Sequence, residues 1–255
     1  MIHSEFPILE FDEDKNAFIK PEKFIEQIDI SERAVLCFFS DAIEKLLAEY
    51  PHKIVTHLRG EGMVLPVYEL NYNGEPVVLV QAVVGAPLAA ASIEELTAFG
   101  CRKYMACGGC GVLQKDIAAG HLIIPTSAVR DEGTSYHYIA PSREVEMEDR
   151  VVKIIEDTLI ENGVPFIKGK TWTTDAFYRE TPAKIKHRKE EGCIAVDMEA
   201  SAFIAVAKYN DVTFGQIFYA GDNLGGDEWD SRKWHDMTDI REMVLKLSIS
   251  SCLKM

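Results

Sequence analysis

Two carboxylates in this chain stand where an apolar run gives way to another element. Glu199 follows "GCIAVDM" (192–198), which reads as a buried strand, and opens "EASAFIAVAKYN" (199–210), which reads as a helix. Near a helix N-terminus the dipole stabilises an anionic side chain, so Glu199 suits holding a hydrogen-bond donor in a fixed place, or merely starting a helix. Asp222 ends the strand-like run "VTFGQIFYAGD" (212–222) directly after a glycine, where it suits acid work or closes a turn. A third stretch, "TWTTDAFYRE" (171–180), sets the aromatic pair Phe177-Tyr178 behind a polar strand end; core packing alone would account for it.

A fourth stretch, "KYMACGGCGVL" (103–113), holds Cys107-Gly-Gly-Cys110. A thiol redox motif places its first cysteine at a helix N-terminus, where the dipole lowers the thiol pKa. Here the cysteines follow a strand, and neither a second C-x-x-C nor a histidine pair completes a zinc set, so no metal is expected. The glycines say more. Gly108, Gly109 and Gly111 permit φ > 0 and close approach of backbone to a ligand, and they stand at the carboxyl end of a strand. A tight structural turn is the other reading.

These side chains are carried by alternating strands and helices. "AVLCFF" (34–39) reads as a strand and "DAIEKLLAEY" (41–50) as a helix; "KIVTHL" (53–58) and "VLPVYELNY" (64–72) read as strands, and Asn73-Gly74 turns the second into "PVVLVQAVV" (76–84). "GAPLAAASIEELTAFG" (85–100) is a helix opened by Gly85 and Pro87 and closed by Gly100. Strands over 102–107, 121–129 and 164–174, a helix over 148–163 and a C-terminal helix of about twenty residues complete the reading. The fold expected is α/β, a single layered domain with a central mixed β-sheet flanked by helices. Residues 1–33 form an N-terminal surface segment and 34–255 the domain.

Composition narrows the function. Of the 255 residues 47% are hydrophobic, enough for a sizeable core, and the net charge is −14. Nucleic acid and anionic membranes need a basic surface, so neither is expected as a partner. No bilayer-length apolar run and no signal peptide are read from the sequence. Six cysteines without a disulfide spacing fit a reducing, cytoplasmic setting.

Taken together and in order, "MACGGCG", "TSAVRDEGTSYHY" (126–138), "TWTTDAFYRE", "AVDMEASAFIAVA" (195–207) and "FYAGDNL" (218–224) resemble the nucleoside phosphorylase family. That family includes purine and uridine phosphorylases and related nucleosidases. The resemblance runs from about residue 34 to the C-terminus and is strongest at Met198-Glu199. It implies a nucleoside-cleaving enzyme, with phosphate as co-substrate and no cofactor, that forms a homo-oligomer, a dimer or a trimer of dimers. Glu199 would accept hydrogen bonds from the ribose hydroxyls, with Met198 packed on the sugar. Phe177 would stack on the base, and Gly111 and Val196 would line it. Asp222 matches the aspartate that serves the imidazole ring of a purine leaving group, with Arg232 as a candidate to position it.

The chemistry asks for such residues. Cleaving an N-glycosidic bond builds positive charge on the sugar and negative charge on the base, so an acid at the base and a carboxylate fixing the sugar both lower the barrier.

On the acceptor side the sequence departs from the family. Phosphorylases hold phosphate with two arginines of the same subunit; here Glu44 and Ala106 fall at their places, and Gly109 replaces a Ser/Thr. Beside phosphate a carboxylate is repulsive. Two readings stay open: Glu44 as general base on water, making a nucleosidase, or phosphate held by Arg59, which resembles an arginine lent across a subunit interface, with backbone amides of Gly108–Gly111. Asp222 favours a purine, whereas "GTSYHY" (133–138) resembles the pyrimidine branch. A non-catalytic nucleoside binder is the remaining alternative.

Overall fold

The computed structural model describes residues 3–255. Residues 3–32 hold no strand or α-helix and run largely exposed over the surface; the side chain of Phe18 is fully exposed. The first strand, β1 (Arg33–Cys37), is an unbroken apolar run because it lies between two parallel neighbours and is covered on both faces. Helix α1 (Ser40–Glu49) follows, then the antiparallel strands β2 (His52–Gly60), β3 (Met63–Tyr72) and β4 (Glu75–Gln81). Asn73 and Gly74 both have positive φ, 54° and 95°, the backbone a two-residue hairpin turn demands. Helix α2 (Ala86–Phe99) lies between Gly85 and Gly100, whose φ values of 114° and 136° favour glycine.

The second half comprises β5 (Lys103–Val112), β6 (Leu122–Asp131), β7 (Glu144–Glu146), α3 (Asp149–Glu161), β8 (Phe166–Thr174), α4 (Pro182–Glu190), β9 (Cys193–Asp197), α5 (Ala200–Asn210), β10 (Thr213–Asn223) and α6 (Thr238–Leu253). Neither β7 nor α4 is expected from the sequence. All ten strands join one mixed sheet in the order β10-β6-β8-β9-β5-β1-β4-β3-β2, with β7 beside β6. Because β10 also pairs with β5, the first five of these strands close into a ring, and the remaining four extend from it as an arm. Helix α5 packs on α2, while α6 packs across β5, β10 and β1 and touches α1 and α3. Among the described residues no helix is long and apolar enough to cross a membrane.

One expectation is corrected. The strand read as ending at Cys107 continues to Val112, so "CGGCG" is mid-strand and not a turn. Gly108, Gly109 and Gly111 are absent from the residues with positive φ, so what they supply is space. A Cβ on Gly108 would stand 3.0 Å from the Phe38 ring, and one on Gly109 3.1 Å from the Tyr219 ring. The long parallel pairing with β10, Tyr104 to Phe214 through Cys110 to Ala220, keeps the segment extended.

The glycines coincide with an exchange of neighbours. On one side β5 pairs with β1 as far as Cys107 and with β9 only from Gly111. Between them β5 has no paired strand on that flank, at the carboxyl ends of the parallel strands, where open α/β sheets bind ligands.

Candidate active site

Glu199 stands at the end of β9 as the residue that opens α5, 6% exposed. Its Oε1 accepts the N–H of Gly85 at 2.7 Å, which ties the start of α5 to the start of α2. Burial, and next the charge of Asp197, push its carboxyl up to about 8; the Gly85 N–H opposes the shift. Asp197 is buried and accepts four hydrogen bonds: from the Thr171 and Thr173 hydroxyls at 2.9 and 3.0 Å, and from the backbone N–H groups of Glu199 and Ala200 at 2.8 and 2.6 Å. Burial raises the Asp197 carboxyl as well, and its four donors oppose that shift by favouring the charged form. The helix-dipole argument for an anionic Glu199 is thus answered by Asp197, which caps α5 in its place. Met198 is partly exposed beside it.

Asp222 ends β10 on the other side of β5. Gly111 pairs with Val196 of β9, and a Cβ on Gly111 would stand 2.6 Å from Leu224 Cδ1, 2.9 Å from Val196 Cγ1 and 3.3 Å from Asp222 Oδ1. Three of the expected base-side residues, Gly111, Val196 and Asp222, are therefore in one place. Phe177 lies in a 3-10 turn after β8, half-exposed, its ring 4.1 Å from that of Tyr178. Core packing does not explain this pair.

Arg232 is not beside Asp222. Its Nη1 donates to the Ile117 carbonyl at 2.8 Å, and its Nε stands 3.8 Å from Asp230. The donor on Asp222 is Trp229, whose Nε1 reaches Oδ2 at 2.6 Å.

On the acceptor side, Gly108 is buried and Gly109 exposed. Glu44 is exposed on α1 and Arg59 exposed on β2. Among the described residues neither is hydrogen-bonded to the glycine strand. The Tyr219 ring lines Gly109, and Arg241 of α6 donates to the Tyr219 hydroxyl at 3.4 Å and pairs with Asp41 at 3.3 Å. Cys107 and Cys110 are free and buried, like the other four cysteines. Burial raises the Cys110 thiol well above its usual range, opposite to what a redox thiolate needs.

Sequence reasoning missed Gly85, Asp197, Glu180 and Trp229. Glu180 is partly buried, and desolvation, then the charges of Asp222 and Asp197, raise its carboxyl to about 7. It lines, with Ile185, Leu224 and Trp229, a cleft of about 610 Å³ between α4 and the loop after β10. Asp197 carried a signal, a charged residue closing a buried apolar strand. Trp229, in a polar loop, carried none.

Residues 32–254 match the family model described as the phosphorylase superfamily. The guanosine phosphorylase of Halorubrum lacusprofundi is 24% identical over 205 residues, 80% of this chain and 84% of that protein. In fold the chain is similar to a uridine phosphorylase from Vibrio fischeri ES114, with TM-score 0.76 and 21% identity over 91% of this chain and 95% of that one. It is also similar to an AMP nucleosidase from Bacteroides thetaiotaomicron, with TM-score 0.71 and 22% identity over 89% of each chain. The chain belongs to the phosphorylase superfamily.

Proposed function

We propose that this enzyme cleaves the N-glycosidic bond of a purine nucleoside, with phosphate as acceptor. The observation that carries the reading is the pair of carboxyls set across β5: Glu199 at the helix junction and Asp222 with Oδ1 toward Gly111. In this reading the ribose hydroxyls donate to Glu199 as its proton leaves, and Met198 packs on the sugar. The base lies against Gly111 and Val196 under Phe177. As the glycosidic bond breaks, negative charge gathers on the base and Asp222 stabilises it by donating to the imidazole nitrogen. Phosphate enters at Gly108–Gly109, with Arg59 supplied by a second copy of the chain in a homo-oligomer.

A second reading is favoured by one observation: among the described residues no arginine is hydrogen-bonded to the glycine strand, and the sequence resemblance puts Glu44, exposed on α1, at the place of a phosphate ligand. In that case water is the acceptor and Glu44 its base.

Product identity decides between them. Purine and pyrimidine nucleosides are incubated with and without phosphate, and free base, ribose and ribose 1-phosphate are separated. Phosphate-dependent release of purine with ribose 1-phosphate is expected. Free ribose without phosphate, lost in Glu44→Gln, would replace phosphorolysis by hydrolysis. No release from any nucleoside would leave a binding protein.

A further inference from the structure

We propose that Trp229 is the positioning residue of Asp222: its indole N–H holds Oδ2 so that Oδ1 is presented to the face of Gly111. The inference rests on the reading of Asp222 as the acid at the base.

The two oxygens of Asp222 are not equivalent. Oδ2 takes the Trp229 N–H at 2.6 Å, and Oδ1 is the oxygen that stands 3.3 Å from where a Gly111 Cβ would be. One oxygen is tethered and the other stands on the Gly111 side, next to the Leu224 and Val196 side chains that pack against that glycine. Trp229 is 64% exposed, so burial does not keep the ring there. The loop does. Asn223 and Asp230 exchange backbone hydrogen bonds at 2.8 and 3.0 Å, and the Gly225 N–H donates to Asn223 Oδ1 at 2.7 Å. Gly225 lies so close to Leu113 that a Cβ would stand 2.5 Å from its carbonyl oxygen. Trp229 is the last residue before this clamp. Just past it Arg232 and Lys233 both adopt φ of 49°, and Arg232 is drawn to the Ile117 carbonyl.

The chemistry suits an indole. Its N–H donates only and brings no charge, so it orients the carboxyl without competing for the proton that must pass on. That proton goes from Oδ1 to the base nitrogen, the glycosidic electron pair goes to the base as a phosphate oxygen bonds the anomeric carbon, and the carboxylate left behind keeps its bond from Trp229 through Oδ2. An arginine there would place a full positive charge on the acid.

The test uses the whole protein. Trp229→Phe removes the donor and keeps an aromatic ring. With a purine nucleoside and phosphate, kcat should fall about 10- to 30-fold while KM changes less than about threefold, the pattern of a group acting in the transition state. Asp222→Asn with Trp229→Phe should be no slower than Asp222→Asn alone, because residues acting through one another are not additive. Trp229→His, which keeps a ring N–H, should recover part of the loss. Losses that multiply, or a change confined to KM, would overturn the proposal.

A readout independent of turnover is the indole N–H resonance of Trp229 in protein labelled with nitrogen-15. It should move in Asp222→Asn while that of Trp172 stays, since Trp172 donates to Asp131. A Trp229 resonance that does not move removes the contact and the proposal with it. A resonance that moves in a protein that cleaves no nucleoside supports the contact and removes the nucleoside reading instead.

Discussion

Glu199 makes a quantitative demand on substrate binding. Its carboxyl is raised to about 8 by burial and by the charge of Asp197, yet the ribose hydroxyls need an acceptor. In the proposed site a carboxylate accepts from the two hydroxyls better than the acid does, so binding is expected to expel a proton. A group with that pKa is ionised to about 1% at pH 6, about 10% at pH 7 and half at pH 8. If only the carboxylate binds the sugar, the dissociation constant falls about tenfold per pH unit from 6 to 7 and levels off above 8. At pH 7 about 0.9 proton leaves per nucleoside bound. Titration calorimetry measures this directly, with a purine C-nucleoside whose carbon–carbon bond is not cleaved and with buffers of different ionisation enthalpy. The slope of observed enthalpy against buffer enthalpy gives the protons released. Glu199→Gln should bind weakly with no slope between pH 6 and 8. Tight binding without proton release at pH 7, or the same slope in Glu199→Gln, would refute the assignment of Glu199 to the sugar.

The same carboxyls tie stability to pH. Glu199 and Glu180 are raised from 4.5 to about 8 and about 7, so the folded chain binds their protons more tightly than the unfolded one. Their contribution to stability is full below about pH 4.5, is lost as pH rises toward 8, and is level beyond. Melting temperatures across pH 5–9 should follow this fall, and Glu199→Gln should flatten it; a Glu199→Gln protein with an unaltered profile would contradict the burial argument. Gly111→Ala forces a methyl against Leu224 and Val196 and should cost about 1–3 kcal/mol by overpacking, together with turnover as Asp222 is displaced. An unchanged melting point in that variant would show that the packing there is looser than its distances say. With all six cysteines buried and free, a thiol reagent should label none in the native protein and six after denaturation. Rapid native labelling at Cys107 or Cys110 would revive thiol chemistry.

Much of this frame is legible in the chain because its signals are local. The apolar run of β1, the Asn73-Gly74 turn and the glycine-bounded α2 each declare themselves within a few residues. Strand β5 does not, since two glycines beside each other read as a turn and only pairing with β10, a hundred residues away, keeps them extended. Helix α4 was invisible for a different reason. Its one buried side chain is Arg188, so it has no apolar stripe to read. At the site, Glu199, Asp222 and Gly111 were legible through their neighbours in sequence. Gly85 and Asp197 act on Glu199 across the fold, and Trp229 acts from a loop whose composition says nothing of its aim.

The exchange of partners along β5 has a consequence for how such an enzyme changes its chemistry. Glu199, Gly85, Val196 and Asp222 are held by β9, β10 and the starts of α2 and α5, whereas in the proposed reaction the acceptor enters where β1 leaves. In that reading, recognition of the nucleoside and choice of the attacking group are written on different stretches of chain. Substitutions on β1 and α1 are then expected to exchange one nucleophile for another while the Gly85 bond to Glu199 stays in place. A scaffold built this way is divisible: half of its active site is free to drift while the other half stays fixed.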